Sequence, residues 1–325
     1  MRAIEVSAHG GPEVLTLVEL PDPQPAPGEV VVSVHAAGVN FIDTYFRAGM
    51  YPSTPPYVPG IEGSGVVTAV GEGVRNHVVG DRVAWCDGNH GYAESVRLRA
   101  DRVLPVPDAV DLDIAGSSLL RGLTAHYLLD GSARPEDGDT VLVHAGAGGV
   151  GLLLTQWAVA RGIRVITTVS SDDKERLSRE AGASEVLRYN DDIASRVRAL
   201  TDDRGVPVVY DGVGASTFEQ SLAATAVRGT VVLYGAASGP VPPFDLQRLN
   251  PAGSLSVTRP TLAHFIADPV EFAWRAGEFF TAVAEGVLTV NVGQSFPLAE
   301  AVQAHRALES RSTVGSTMLA VAAGE

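Results

Sequence analysis

The sequence has 325 residues, 45% of them hydrophobic and 19% charged, and it carries a net charge of -14 with no run that gathers Lys and Arg into a stripe. That composition belongs to a folded globular protein of two-domain length and argues against nucleic acid as its main partner. A single cysteine, Cys86, excludes an internal disulfide and a multi-cysteine zinc lobe and reads as a packing residue, while no run approaches the length of a membrane span.

The N-terminus "MRAIEVSAHGGPEVLTLVEL" alternates like a strand and lacks the apolar core of a signal peptide, so the expected location is the cytoplasm. Short β-type runs follow to about residue 120, including "EVVVSVHAAGV", "GSGVVTAVG", "DRVAWC" and "YAESVRL". Prolines cluster in "PDPQPAPGE" and "YPSTPPYVPG", which must be loops because proline cannot donate to a ladder. This half predicts an irregular, partly closed β domain. At residues 117–129, "SSLLRGLTAHYLL", the apolar period becomes helical.

Strands and helices then alternate: "TVLVHA", a helix over 150–162, "RVITTV", a helix over 172–182, "EVLRY", a helix over 192–200, "PVVYD", a helix over 216–224 and "GTVVLYG". This rhythm predicts right-handed βαβ units in a doubly wound parallel sheet. From Thr261 a helical stretch at 269–286, a strand "LTVNV" at 288–292, a helix over 298–310 and a last strand "STMLAV" are expected. They are too few for a third domain. The predicted division is therefore 1–121 for the first part of the β domain, 122–260 for the doubly wound domain, and 261–325 for a return to the first.

"GDTVLVHAGAGGVG" places Gly146, Gly148 and Gly151 in G-x-G-x-x-G spacing after a strand and before a helix. In that context the first glycine serves the tight turn, the second lets backbone approach a pyrophosphate, and the third allows close helix packing. The helix N-terminus offers N–H groups and a positive dipole end to the phosphates. About 20 residues on, the acid that would bind both ribose hydroxyls of NAD is missing where the second strand stops; Ser170 and Ser171 stand there. Lys174 can meet a 2′-phosphate, which favours NADPH over NADH. Asp172 and Asp173 would repel such a phosphate, although acids suit the first turn of a helix.

On "HGGPEVL", "GVNFIDTYFRAGMYP", "VPGIEGSGVVTAVGEGV", "LRGLTAHYLL", the glycine turn, "VVYDGVG" and "ALESRSTVGS", in that order from end to end, the chain resembles the zinc-independent quinone oxidoreductases of the medium-chain dehydrogenase/reductase superfamily. The resemblance implies an α/β protein, with a GroES-like domain beside a Rossmann domain, and a homodimer. It implies that Asn40 and Tyr45 lie near the nicotinamide with Thr124 in support, and that Gly148, Gly149 and Val150 face the pyrophosphate. Ser170, Lys174 and Tyr189 would border the adenosine 2′-phosphate, Tyr234 and Gly235 the far side of the nicotinamide half, and Arg311 the phosphates.

Zinc-dependent relatives hold a catalytic ion with three protein ligands. Here the first ligand position falls in "GVNFIDTY", the histidine position is Ile61, and Glu62 alone cannot hold zinc. The eight histidines form no HxxH or HExxH pair; His144, beside the glycine turn, is the one nearest the expected pyrophosphate. Without a Lewis acid the acceptor must carry its own electron sink, as quinones, enals and enones do. Asn40 and Tyr45 would position it and supply a hydrogen bond, with Tyr51 and Arg47 as further candidates to line the cleft. The expectation is NADPH-dependent reduction of a quinone without zinc, nucleic acid or membrane. The alternatives are a 2-alkenal or enone reductase and, in another class, a cofactor-binding structural or sensor protein.

Overall fold

The computed structural model describes residues 1–88, 90–310 and 313–321. The chain divides into two units, one made of Met1–Leu120, Pro269–Gly286 and Val290–Glu325, the other of Arg121–Asp268 with Val287–Thr289. No helix among the described residues is long and apolar enough to cross a membrane.

The first unit is built around one long strand, Glu29–Gly38, whose valines and alanines are buried along most of its length. One edge pairs with Gly63–Val70. The other is shared, Ser95–Arg99 taking residues 29–33 and Ser316–Ala320 taking residues 36–38, both antiparallel. Two register shifts opposite Gly63–Val70 break the ladder, as bulges do where a sheet bends. This is the partly closed β domain expected from the sequence. Its core joins Val30, Val32, Val34, Trp85, Tyr92 and Leu98 to Leu308 and Leu319 from the tail.

The helix expected over 117–129 begins earlier, at Leu112, and continues to Tyr127. Gly116 and two serines obscured its start. A Cβ on Gly116 would lie 2.4 Å from Ser64 Oγ and 2.7 Å from the Ala36 carbonyl, while Ser117 and Ser118 donate to carbonyls one turn back.

The second unit is a six-stranded, wholly parallel sheet ordered Glu185–Arg188, Arg164–Val169, Thr140–Val143, Val206–Asp211, Thr225–Leu233, Ser256–Thr258. The residues Leu142, Ile166, Leu187, Val209 and Val231 pack with Phe218 and Leu222 on one face, and Val141, Val143, Val165, Val208 and Val232 are buried on the other, the pattern of strands covered on both faces. Sequence order reverses beside Thr140–Val143, so the glycine turn lies at the switch point where open α/β sheets bind ligands.

One expected strand is displaced. The sequence places it at 288–292, but pairing runs over Val292–Pro297, parallel to Ser316–Ala320. The cause is Gln156, whose side chain accepts the Thr289 N–H at 2.7 Å and donates to the Thr289 carbonyl at 3.2 Å. A side-chain amide thus takes both backbone groups that a strand would have used.

Candidate functional site

In the second unit the strand Thr140–Val143 ends at His144, and the helix Gly149–Ala160 starts five residues later with Gly148 as its N-cap. The residue that takes the left-handed backbone is Ala145, at φ 55°, and not the first glycine. Gly146 is required by close packing instead: a Cβ there would lie 2.5 Å from Thr167 Cβ. On Gly151 one would lie 2.3 Å from the Ala145 carbonyl oxygen. Gly148 differs, because its Cβ would meet nothing closer than that same oxygen at 3.2 Å. The protein's own packing forbids a side chain at two of the three glycines and crowds the middle one far less. No side chain caps the helix and its first turn holds no acid, so the N–H groups of Gly149, Val150 and Gly151 lie at a bare positive dipole end.

The neighbouring strands end beside this turn. Arg188 pairs in register with Val169, which sets Tyr189 next to Ser170. The Tyr189 hydroxyl accepts the Ala145 N–H at 2.9 Å, tying it to the glycine turn. Ser171 caps the helix Asp172–Glu180, its Oγ accepting the Lys174 N–H at 3.4 Å. Arg188 Nη2 donates to Asp172 at 2.7 Å and to Glu175 at 2.5 Å. The sequence reading missed Arg188, yet it answers the difficulty that reading raised: the charge of Asp172 is paired with a cation. A basic residue at the end of the third strand was the available signal.

His144 is fully buried, with Nδ1 at 2.9 Å from Thr168 Oγ1 and Nε2 at 3.0 Å from Ser221 Oγ. Burial holds it below the usual histidine range, partly offset by the Asp211 charge, so it is a neutral structural link. Asp211 is the hub beneath. Its carboxylate accepts the Val213 and Gly214 N–H groups at 2.9 Å and the hydroxyls of Thr217 and Ser221. Its carbonyl accepts the Tyr234 N–H. A Cβ on Gly212 would lie 2.7 Å from the Tyr234 ring, and one on Gly235 2.4 Å from the Gly212 carbonyl oxygen, so glycines let these two strand ends touch. Burial, then the charge of Asp211, keep the Tyr234 hydroxyl protonated. Thr124 is buried in the helix Leu112–Tyr127.

In the first unit Asn40 is the N-cap of the helix Phe41–Arg47 and only 4% exposed. It is held by two buried carboxylates: its backbone N–H donates to Asp43 Oδ2 at 2.8 Å and its Nδ2 to Glu62 Oε2 at 2.8 Å. Glu62 also accepts the Leu120 N–H at 2.6 Å. Glu62 is therefore the clamp that fixes which way the Asn40 amide points. Tyr45 lies one turn on, edge-to-face with Tyr51 at 5.4 Å, and Tyr51 meets Phe46 in the same manner. Arg47 does not line a cleft as the sequence suggested. It is 2% exposed, bonded to the Gly10 carbonyl and His305 Nδ1 and paired with Glu309 at 2.5 Å, because it joins the helix to the C-terminal helix Ala301–Glu309. Arg311, expected at the phosphates, lies outside the described residues.

Two family models match the chain: an "Alcohol dehydrogenase GroES-like domain" over residues 26–108 and a "Zinc-binding dehydrogenase" over residues 149–273. The chain is 45% identical over 323 residues to the quinone oxidoreductase of Pseudomonas aeruginosa, covering 98% of this chain and 99% of that protein. Among solved structures it is similar to a mycobacterial protein complexed with NADPH, at a TM-score of 0.96 and 54% identity, with 99% of this chain and 100% of that one covered. The Escherichia coli quinone oxidoreductase complexed with NADPH superposes at 0.97 with 40% identity and the same coverage.

Proposed function

Since the chain belongs to the quinone oxidoreductases of the medium-chain dehydrogenase/reductase superfamily, we propose that it transfers hydride, or electrons singly, from NADPH to a quinone. The observation that carries this reading is a likeness that runs the whole length of the chain to a quinone oxidoreductase solved with NADPH. NADPH, when bound, supplies the reducing electrons; the chain must bind it, orient it and present an acceptor.

The second unit fits such a cofactor. Gly148 leaves room for a pyrophosphate, and the N–H groups of Gly149, Val150 and Gly151 would meet its oxygens. Ser170, Lys174 and Tyr189 are assigned to the adenosine 2′-phosphate, with Arg188 added because it neutralises Asp172. Thr124, Tyr234 and Gly235 are assigned to the nicotinamide half, and Arg311 to the phosphates. In the first unit Asn40, fixed by Glu62, and Tyr45 are assigned to the nicotinamide and acceptor. A group already locked by buried partners loses little freedom on binding, which is how positioning lowers a barrier.

The residues at the metal positions of zinc-dependent relatives do not fit zinc. Ile61 offers no donor atom, and both Glu62 oxygens accept N–H groups. We assign the reaction to the chain without zinc, and its acceptors to compounds that delocalise the incoming charge themselves. A homodimer in the cytoplasm is the assembly and location this reading expects. The test is NADPH oxidation with simple quinones and with short enals in parallel. Quinone turnover is the expected result; turnover of enals alone would make the chain an alkenal reductase, and tight NADPH binding with no acceptor a binding protein.

A further inference from the structure

The buried polar chain beneath Asn40 takes no part in that assignment, and its hydrogen-bond directions can be deduced. Arg47 can only donate, so His305 Nδ1, 2.9 Å from Arg47 Nη1, accepts. His305 is fully buried; burial and then the Arg47 charge push its pKa down to about 3, so the ring is neutral and its one proton sits on Nε2. Nε2–H then donates to Tyr92 Oη at 3.2 Å, and the Tyr92 hydroxyl donates to Asp43 Oδ2 at 3.4 Å. Asp43 Oδ2 also accepts the Asn40 N–H at 2.8 Å. The Tyr92 hydroxyl and the Asn40 N–H thus meet on one carboxylate oxygen. The other, Oδ1, is buried and has no hydrogen-bond partner, in a residue only 1% exposed.

We propose that Asp43 is a positioning residue for the quinone reaction: a proton arriving at or leaving Oδ1 sets how firmly the start of the helix Phe41–Arg47 holds Asn40. An ionised carboxylate grips the Asn40 N–H through a charge-assisted bond, roughly twice as strong as the neutral one. Asn40 is thus held from both sides, by Asp43 on its backbone and by Glu62 on its side chain. With Oδ1 protonated the backbone grip loosens while the Glu62 clamp stays. The groups that face Asp43 are Arg47 on its own helix, Glu62 before the strand Gly63–Val70, Tyr57 and Tyr92 from the loops, and His305 with Glu309 behind it on the C-terminal helix. Burial is the main force that raises the Asp43 pKa to about 7, and the Glu62 charge adds to it. The Asn40 and Ile61 backbone groups and the Tyr92 hydroxyl oppose the rise.

The inference rests on Asn40 acting at the reaction site, and the experiment separates the two ideas. The kcat and KM of NADPH oxidation by p-benzoquinone are followed from pH 6 to pH 9 for the wild type and for the D43N, Y92F and N40A variants, each checked by circular dichroism. The wild type should gain activity through one ionisation near neutrality. D43N, isosteric with the protonated acid, should lose that step and stay at the acid-limb level, about fivefold below the wild type at high pH and in kcat more than in KM. Y92F removes a donor to the charged form, so its step should move to higher pH. A merely structural residue would lower activity evenly and leave the step where it was. A wild-type step that D43N retains, or a Y92F step at the wild-type pH, overturns the proposal; Y92F decides alone if D43N does not fold. N40A turning over as the wild type does would instead overturn the assignment of Asn40.

Discussion

The glycine turn and the Asn40 helix handle polar groups in opposite ways. At the turn, backbone does the presenting: two glycines are fixed by packing, the third is the least crowded, and the helix N–H groups are left uncapped. At Asn40, side chains do it: the residue is held in a largely buried network drawn from four separate stretches, at 40–47, 62, 92 and 305–309. A backbone device needs only local spacing, whereas a side-chain device needs the tertiary fold to assemble it.

That contrast can be broken first at Arg47. Arg47→Ala removes the cation buried against His305 and Glu309 and should cost about 3 kcal/mol in urea unfolding, the low end for a broken buried pair because Glu309 still reaches solvent. A loss below 1 kcal/mol would mean the network does not hold the helix. At the turn, Gly151→Val should weaken NADPH binding about 100-fold by fluorescence titration, since displacing the loop costs orientation. Gly148→Ala should cost much less stability than Gly151→Val and yet bind NADPH more weakly than the wild type. Equal stability losses for the two variants would refute the distinction drawn here.

The adenosine end comes next. Replacing Lys174 or Arg188 with Glu should weaken NADPH about tenfold while leaving NADH nearly unchanged, the scale of one charge-assisted hydrogen bond. An unchanged ratio of the two affinities would remove that residue from its role.

The most gradual effect, spread over several pH units, concerns Asp43 and stability. Its folded pKa stands above its unfolded value, so between about pH 4 and 7 the folded state holds a proton that the unfolded chain has released. That contribution is present at low pH and lost as pH rises. His305, pushed down to about 3, acts in the opposite sense: its unfolded form takes up a proton below about 6.5, so its contribution is lost as pH falls. The two slopes partly cancel in the wild type. Asp43→Asn should unmask the histidine, and its stability relative to wild type should rise between pH 4 and 7, by at most roughly 1.4 kcal/mol per pH unit. Melting curves across that range check this, and parallel curves would contradict it.

These differences explain what the sequence made legible. The parallel sheet and the glycine turn follow from periodicity and spacing, and Arg164–Val169 falls on the residues expected of it. Details set by tertiary neighbours did not. The strand assigned to 288–292 was claimed by Gln156 from another helix, and Ala145 took the left-handed turn position because Gly146 was needed against Thr167. Arg47 looked like a cleft residue because it follows Asn40 by seven, yet its partners lie some 260 residues away in sequence. Glu62 read as the remnant of a metal site. Only the fold reveals it as the acceptor that orients Asn40.

The central claim is that this chain reduces quinones from NADPH with no metal in the reaction. The most direct measurement is NADPH oxidation by p-benzoquinone with enzyme dialysed against a strong chelator, its zinc content measured by mass spectrometry in the same sample. Full turnover at a zinc content far below one ion per chain is the result predicted; turnover that falls with the chelator and returns with added zinc would contradict it.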